Sequence, residues 1–206
     1  ATLIDRACEE IKSGMLHDQF VVGVVQGGAG TSTNMNSNEV ITNRALELAG
    51  HPKGDYDFIN PNDHTNRSQS TNDTYPTAIK IALAFSLESL LVELDLLSQS
   101  FAAKGREFSH IVKVGRTQLQ DAVPMTLGQE FNAFAVTLRE DIERLREAVT
   151  LLREVNMGAT AIGTGINAPR GYKETVIRHL REITELDLET AGDLVESTSD
   201  TGVFIT

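Results

Sequence analysis

The sequence predicts a mainly α-helical protein built around a bundle of long helices. Two stretches, 73–108 and 124–156, place apolar residues three or four positions apart throughout, which is the near-heptad spacing of bundles and coiled coils. Both stretches far exceed the mean globular helix of about 11–12 residues. The 206 residues, 40% hydrophobic and 23% charged, are enough for one or two domains with a sizeable core.

Shorter elements precede the long helices. Residues 2–13 have a helical pattern, and the apolar run 20–25 is either strand-like or extended. The glycine-rich segment 26–33 must be a loop, and a helix near 37–50 ends at Gly50 and Pro52. Residues 51–69, rich in Pro, Asn, Asp and Gly, form a long loop. The residues that we expect to face inward on the 37–50 helix are Val40, Ile41, Ala45 and Leu48.

The first long helix carries more apolar surface than one neighbour can cover. Its main row consists of Ile79, Leu83, Leu87, Leu90, Leu94, Leu97 and Phe101, and a second row consists of Ile81, Phe85 and Leu91. The row on the second helix consists of Leu127, Phe131, Phe134, Leu138, Ile142, Leu145, Val149 and Leu152. A doubled face favours an oligomeric bundle, with a monomeric bundle as the alternative. Helices near 172–184 and 191–199 follow, with mixed charges and no assigned chemistry.

Net charge and cysteine content indicate which partners and which cellular compartment the protein can have. The net charge of −11 argues against general nucleic-acid binding, which needs a basic face. No apolar run approaches the ~18 residues of a membrane span, so we expect no membrane partner. Cys8 is the single cysteine, which fits a reducing compartment such as the cytoplasm. It shares a helical pattern with Ile4, Ile11 and Met15, so we interpret it as a small core residue.

The run 114–130 is a loop of hydroxyls and amides that leads into a helix. Pro124 suits the first helical position, where free N–H groups and the helix dipole favour an anion such as a carboxylate. The alternative is an ordinary capped loop. Arg116 could hold a carboxylate or form a structural ion pair, and the sequence does not separate the two.

Further polar residues have both a functional and a structural interpretation. The segment 70–73 at the start of the first long helix is either an N-cap or a carboxylate site. Gly30 and Thr31 do not form a phosphate loop, because the Gly-x-x-x-x-Gly-Lys-Ser/Thr pattern is absent. His64, next to Asp63, is a switchable base or a structural histidine. Glu130 and Asp141 are an acid/base pair or ordinary surface carboxylates.

Four segments together resemble the aspartase/fumarase superfamily, in matching order and spacing: 26–39, 60–76, 114–130 and 158–167. The resemblance extends from about His17 to the end. It implies a long-helix bundle of the aspartase/fumarase type, with a small, mostly helical amino-terminal domain at 1–69 and a central helical-bundle domain at 70–206. Family members are roughly twice as long, so we expect this chain to be their amino-terminal and central part.

The resemblance also implies a substrate site. Its substrate-binding residues would be Thr31, Ser70, Thr71, Asn72, Thr117 and Gln118. Fumarases carry His at the positions of Gln118 and Asn60 and usually Ser at that of Ala29, so this chain is more similar to the aspartases. The implied reaction is reversible elimination of ammonia from L-aspartate to fumarate, through an aci-carboxylate. The alternatives are a fumarate hydratase and a non-catalytic structural homologue.

The family's catalytic base is a serine in a Gly-Ser-Ser loop that this chain lacks. No catalytic residue is therefore assigned here, the serine is expected beyond Thr206, and the chain alone should be inactive. The resemblance further implies a small dicarboxylate substrate and a homotetramer with sites shared between subunits. It implies no required cofactor or metal, and is compatible with activation by a divalent cation.

Overall fold

The computed structural model describes residues 1–25 and 28–200, and these residues are mainly helical, as predicted. The helices are α1 (Thr2–Lys12), α2 (Thr31–Leu48), α3 (Thr71–Glu107), α4 (Leu127–Leu152), α5 (Tyr172–Thr184) and α6 (Leu194–Ser199). The strands are β1 (Val112–Thr117), β2 (Gln120–Thr126), β3 (Glu154–Val155) and β4 (Glu189–Thr190). The chain forms two compact units, one of 1–80 and 154 onward and one of Ile81–Arg153. The domain division at residues 69 and 70 stays a prediction.

In the first unit, α1 packs against α2 around a small apolar core. Ala7, Ala45, Leu46 and Ile59 are buried there. The prediction that Cys8 is a core residue is wrong, because Cys8 is exposed. The helix presents Ala7 to α2 instead. Because adjacent residues on a helix of 3.6 residues per turn point about 100° apart, the Cys8 side chain is directed away from this core. The apolar pattern predicted the helix correctly, and Ile4 does pack against this core, but Cys8 lies outside it.

Helix α2 begins six residues earlier than its apolar residues indicate. Of the predicted inward residues, Ala45 is fully buried, whereas Val40, Ile41 and Leu48 are only partly buried. The other buried positions of its inner face are Asn34, Asn38, Thr42 and Leu46. Hydrophobic periodicity cannot detect a buried face made of amides and hydroxyls, so it missed the first two turns.

The segments that flank α2 are mostly irregular. Residues 20–25 form no strand; the chain bends at residues 22, 24 and 25, and Val24 and Val25 are both 95% exposed. Of the predicted loop 26–33, residues 26 and 27 lie outside the described part, 28–30 form a turn, and 31–33 are helical. The long loop 51–69 contains one π-helical turn, Pro61–Thr65. Asn60 caps this turn through its side-chain oxygen.

The carboxyl-terminal part of the first unit packs around a short parallel strand pair. Val155 of β3 lies opposite Thr190 of β4, and Val155 and Leu188 are almost fully buried. Helices α5 and α6 lie where the sequence placed them. This packing fixes the segment 156–161, which contacts the start of α3.

In the second unit, the later part of α3 runs antiparallel to α4. Phe101 contacts the rings of Phe131 and Phe134, with centroids 5.8 and 5.5 Å apart, which confirms that the two apolar rows meet. The helices approach most closely at Gly128, where an added Cβ would lie 2.4 Å from the carbonyl oxygen of Gly105. Only glycine permits this crossing distance.

The prediction that Pro124 opens the second long helix is wrong. Pro124 lies in β2, opposite Val114 of β1, and α4 begins only at Leu127 and ends at Leu152 rather than at residue 156. Thr126 caps α4 in a capping box with Gln129. The predicted loop of 114–130 is therefore largely a β-hairpin, which suits proline because an edge strand can lack one N–H.

Candidate functional site

A cleft of about 300 Å³ lies at the amino-terminal end of α3, within the first unit. Residues on its wall include Ala29, Thr71, Asn72, Tyr75, Lys80, Asn156 and Thr198. Two of the predicted substrate-binding residues, Thr71 and Asn72, therefore line one cleft. Thr31 follows Ala29 by two residues and opens α2, and Ser70 precedes Thr71, so four predicted residues lie in or beside it.

Gly30 brings the start of α2 close to the start of α3. Its φ of +86° is left-handed, and an added Cβ would lie 2.2 Å from the Tyr75 ring. Any side chain at this position would therefore be strained and would also strike the ring. The backbone N–H of Thr31 donates to the Gly28 carbonyl oxygen at 3.0 Å, which closes the turn. The glycine-rich motif thus holds Thr31 beside the cleft.

Asn72 is held from the opposite wall by backbone and side-chain bonds. Its Nδ2 donates to the Ala161 carbonyl oxygen at 2.7 Å, and its own carbonyl oxygen accepts from Asn156 Nδ2 at 3.0 Å. In a regular helix the residue-76 N–H would bond that carbonyl, but Pro76 has none. Asn156 therefore supplies the donor that Pro76 removes.

Asp73 ties the helix start to the segment 158–160. Its side chain is completely buried and accepts from the N–H groups of Thr160 at 2.8 Å, Ser70 at 2.9 Å and Gly158 at 3.3 Å. Burial raises the pKa of the Asp73 carboxyl, although these hydrogen bonds act to lower it. Asp73 is a structural anchor that orients its neighbours Thr71 and Asn72.

The hydroxyl groups at the helix start have defined partners. Thr71 is buried, and its Oγ1 accepts from Asn34 Nδ2 at 3.0 Å. Ser70 Oγ accepts from the backbone N–H of Asn72 at 3.2 Å, as in an N-cap. Both oxygens act as acceptors, and among residues 1–25 and 28–200 no group accepts either hydroxyl proton, which leaves both protons for a ligand.

Lys80 is a buried cation on the cleft wall. Its Nζ donates to the Glu154 carbonyl oxygen at 2.5 Å, and burial lowers the pKa of its ammonium. The amine therefore holds the start of β3. Sequence analysis did not identify Lys80 or Asn156, and it placed Asp73 in the segment 70–73 without its anchoring role, because these contacts join residues that are distant in the chain. Only Pro76, six residues into a helix, signals that a carbonyl there needs another donor.

Thr117 and Gln118 lie in the second unit, at the turn of the β1–β2 hairpin. Both are exposed, and Gln118 has a left-handed φ of +47°. The argument that placed an anion at the start of α4 is wrong, because its first N–H groups are already bonded. Leu127 N–H donates to the Ile111 carbonyl, Gly128 N–H to the Phe108 carbonyl and Gln129 N–H to Thr126 Oγ1. The substrate role of Thr117 and Gln118 stays a prediction.

Four other residues, each with a functional and a structural interpretation, make structural contacts within the chain. Arg116 pairs with Asp121 across the exposed hairpin at 3.1 Å. Glu130 accepts from Lys113 through both oxygens at 2.8 Å, and Asp141 pairs with Arg144. The Asn60 backbone N–H donates to His64 Nδ1 at 2.8 Å. This ring nitrogen is therefore an acceptor that stabilises the π-helical turn.

In residues 1–25 and 28–200, no group of three or more His, Cys, Asp or Glu side chains is arranged to hold a metal ion. None of the helices within these ranges is both long and apolar enough to span a membrane.

Known proteins resemble this chain along its whole length. A family model described as Lyase matches residues 1–206. The aspartate ammonia-lyase of Pseudomonas aeruginosa is 58% identical over 203 residues, which cover 98% of this chain and 43% of that protein. This chain therefore spans less than half the length of that curated relative.

Solved structures give the same assignment. The fumarate lyase:delta crystallin from Brucella melitensis bound to cobalt matches with a TM-score of 0.92 and 58% identity, over 99% of this chain and 44% of that one. The recombinant class II fumarase from Schistosoma mansoni matches with a TM-score of 0.82 and 32% identity, over 95% and 44% of the two chains. The helical fold, the cleft at the start of α3 and these matches together show that this chain belongs to the lyase family of the aspartate ammonia-lyases and class II fumarases.

Proposed function

We propose that the protein containing this chain is an aspartate ammonia-lyase, which reversibly eliminates ammonia from L-aspartate to give fumarate. The observation that carries the proposal is the cleft that Thr71 and Asn72 line with Ala29, two residues before Thr31. The 58% identity to the Pseudomonas aeruginosa aspartate ammonia-lyase supports this substrate. The class II fumarase from Schistosoma mansoni, at 32% identity, gives the fumarate hydratase alternative less support.

The chemistry needs donors at the place where negative charge develops. A base removes a proton from the carbon beside a carboxylate, the carboxylate takes up the charge as an aci-carboxylate, and the carbon–nitrogen bond then breaks to release ammonia. Within the described chain, neither the Thr71 hydroxyl proton nor its backbone N–H has an acceptor. Donors fixed in advance at such a site stabilise the charged intermediate.

Asn72 and Ser70 complete this half of the site. Because Asn72 Nδ2 donates to the Ala161 carbonyl, its Oδ1 can accept from the ammonium group of the substrate. The Ser70 hydroxyl can donate to a carboxylate while its oxygen accepts from Asn72 N–H. The chain thus supplies binding groups, and the proton-abstracting serine is expected beyond Thr206. The chain alone should therefore be inactive.

The remaining parts of the proposal concern assembly and surroundings. Large apolar side chains on α3 stay exposed, among them Phe85 at 49% and Leu90 at 45%, which supports a homotetramer in which other copies cover them. Sites shared between subunits would bring Thr117 and Gln118 to the substrate. We also propose a cytoplasmic location, no required cofactor, and optional activation by a divalent cation.

The test is the activity of the full-length protein and of a Thr71→Val variant. Fumarate formed from L-aspartate is measured by absorbance, beside malate formed from fumarate. Losing one donor to developing charge should lower kcat by ~10²–10³. The matched control is Thr42→Val, which removes an equally buried hydroxyl that bonds Thr65 at 2.7 Å outside the cleft wall.

Each outcome selects one hypothesis. Fumarate formation that Thr71→Val lowers by ~10²–10³ and Thr42→Val preserves supports the ammonia-lyase. Dominant malate formation would assign the protein to the hydratases instead. An assembled full-length protein without either activity would favour the non-catalytic homologue.

A further inference from the structure

The direction of the Thr71 hydroxyl bond determines whether this residue can bind a carboxylate. A carboxylate only accepts hydrogen bonds, whereas a hydroxyl both donates and accepts. Thr71 can therefore serve the substrate only while its hydroxyl proton is not donated within the protein, and a neighbour that acts as donor to its oxygen favours that state. If the proposed function is correct, the group that bonds the Thr71 oxygen contributes to substrate binding.

Asn34 occupies the Thr71 oxygen from inside the protein. Its Nδ2 donates to Thr71 Oγ1 at 3.0 Å, and the two residues are only 6% and 9% exposed. Asn34 lies one helical turn after Thr31 on α2 and is absent from the cleft wall. Among residues 1–25 and 28–200, nothing else bonds the Thr71 hydroxyl, so its proton is left for a ligand in the cleft.

The orientation of the Asn34 amide is itself fixed by a backbone carbonyl. Asn66 Nδ2 donates to the Gln69 carbonyl oxygen at 3.5 Å, which turns Asn66 Oδ1 towards α2. That oxygen accepts from Asn34 Nδ2 at 3.3 Å and from Asn38 Nδ2 at 3.1 Å. A backbone carbonyl can only accept, so the donor direction is set at Gln69 and passes through Asn66 and Asn34 to Thr71.

We propose that Asn34 is a positioning residue, which keeps Thr71 Oγ1 as an acceptor and thereby directs the Thr71 hydroxyl proton at the substrate carboxylate. Buried amides cost free energy unless they are hydrogen-bonded. Asn34 Nδ2 donates both of its bonds, one to Asn66 Oδ1 and one to Thr71 Oγ1, so the oxygen of Thr71 is held as an acceptor. The buried polar face of α2 thus contributes to the substrate site without touching the substrate.

The test is Asn34→Asp in the full-length protein. An ionised aspartate has nearly the same shape but only accepts, so the Thr71 hydroxyl would turn to it and be lost to the substrate. We expect kcat/KM for L-aspartate to fall by about 10², as for the loss of one donor. The control is Asn38→Asp, one turn further along α2. Asn38 is equally buried and bonds the same Asn66 oxygen, but has no bond to Thr71.

A double-mutant cycle separates positioning from general damage. If Asn34 acts through the Thr71 hydroxyl, adding Asn34→Asp to Thr71→Val should cause no further loss of kcat/KM. If the buried charge prevents folding, Asn34→Leu and Asn38→Leu replace the two aspartate variants. The same cycle with Thr71→Val then applies, with a smaller expected loss because the hydroxyl is freed rather than captured.

The outcomes distinguish this inference from the proposed function. A wild-type protein without ammonia-lyase activity refutes the proposed function, and the inference that rests on it falls too. An active wild type in which the Asn34 and Asn38 variants lose equal activity refutes the inference alone. So does a loss from the Asn34 variant that persists undiminished in the Thr71→Val background.

Discussion

Replacing Asn156 by alanine tests how the start of α3 is held. Asn156 is 3% exposed. Its Nδ2 donates to the Asn72 carbonyl at 3.0 Å, and its Oδ1 accepts from the Thr77 hydroxyl at 3.4 Å. With alanine, Thr198 Oγ1, which also accepts from Asn156 Nδ2 at 3.1 Å, would keep its own bond to the Leu194 carbonyl. The Asn72 carbonyl and the Thr77 hydroxyl would lose their bonds to residue 156. An unsatisfied buried polar group costs roughly 1–3 kcal/mol, and the cleft lets water reach one of the two, so we expect a loss of about 2–4 kcal/mol.

The matched variant is Pro76→Ala, which restores a backbone N–H that can bond Asn72. Alone it should change stability little, because Asn156 already occupies the carbonyl. Combined with Asn156→Ala it should recover about 1 kcal/mol or more, the usual worth of satisfying one orphaned group. The two substitutions should therefore be non-additive, because Pro76→Ala stabilises the protein only when Asn156 is absent.

The assay is thermal unfolding of the full-length protein, followed by circular dichroism, beside kcat/KM for L-aspartate. Asn156→Ala should lower the midpoint and raise KM, because Asn72 loses one of its two tethers. Pro76→Ala should reverse part of both effects. Strict additivity, within the ~0.3–0.5 kcal/mol seen for independent sites, would refute the reasoning that Asn156 replaces the missing N–H of Pro76.

Three further outcomes follow from other contacts. Gly128→Ala should lower the unfolding midpoint sharply, because its Cβ would lie 2.4 Å from the Gly105 carbonyl; an unchanged midpoint would contradict the close crossing. Burial raises the Asp73 pKa above 3.8, so a denaturation series should show wild type losing stability relative to Asp73→Asn as pH rises above that value. The opposite slope would contradict it. Arg116→Ala should change the midpoint and kcat/KM little, since exposed pairs contribute about 0–1 kcal/mol, and a large kinetic effect would revive its carboxylate role.

The sequence predicted those elements whose apolar residues face a neighbour. The row with Phe101 and the row with Phe131 and Phe134 meet as expected, because helical spacing alone brings such residues to one face. The same reasoning failed at Cys8, which is exposed although it lies in an apolar pattern. It also failed at the start of α2, where the buried face is polar. Periodicity measures hydrophobicity, and burial of bonded amides leaves no trace in it.

The sequence predicted which segments form the site, but not the contacts that hold their side chains in place. The resemblance pointed to Thr31, Ser70, Thr71 and Asn72, and the structure places all four in or beside one cleft. The groups that hold them come from positions up to 89 residues away, as Ala161 is from Asn72. The preference of proline for the first position of a helix gave a wrong prediction at Pro124, because this residue pairs with Val114 in a β-hairpin instead.

The buried polar residues around the cleft share one physical rationale. Leucine at the positions of Asn34, Asn38 and Thr42 would bury apolar surface at no hydrogen-bonding cost, so stability alone does not favour amides and hydroxyls there. What leucine cannot do is fix the direction of a hydrogen bond. Asn34 directs the Thr71 hydroxyl and Asn156 replaces the donor missing at Pro76. In both cases, buried amides determine which groups at the start of α3 stay free for a ligand.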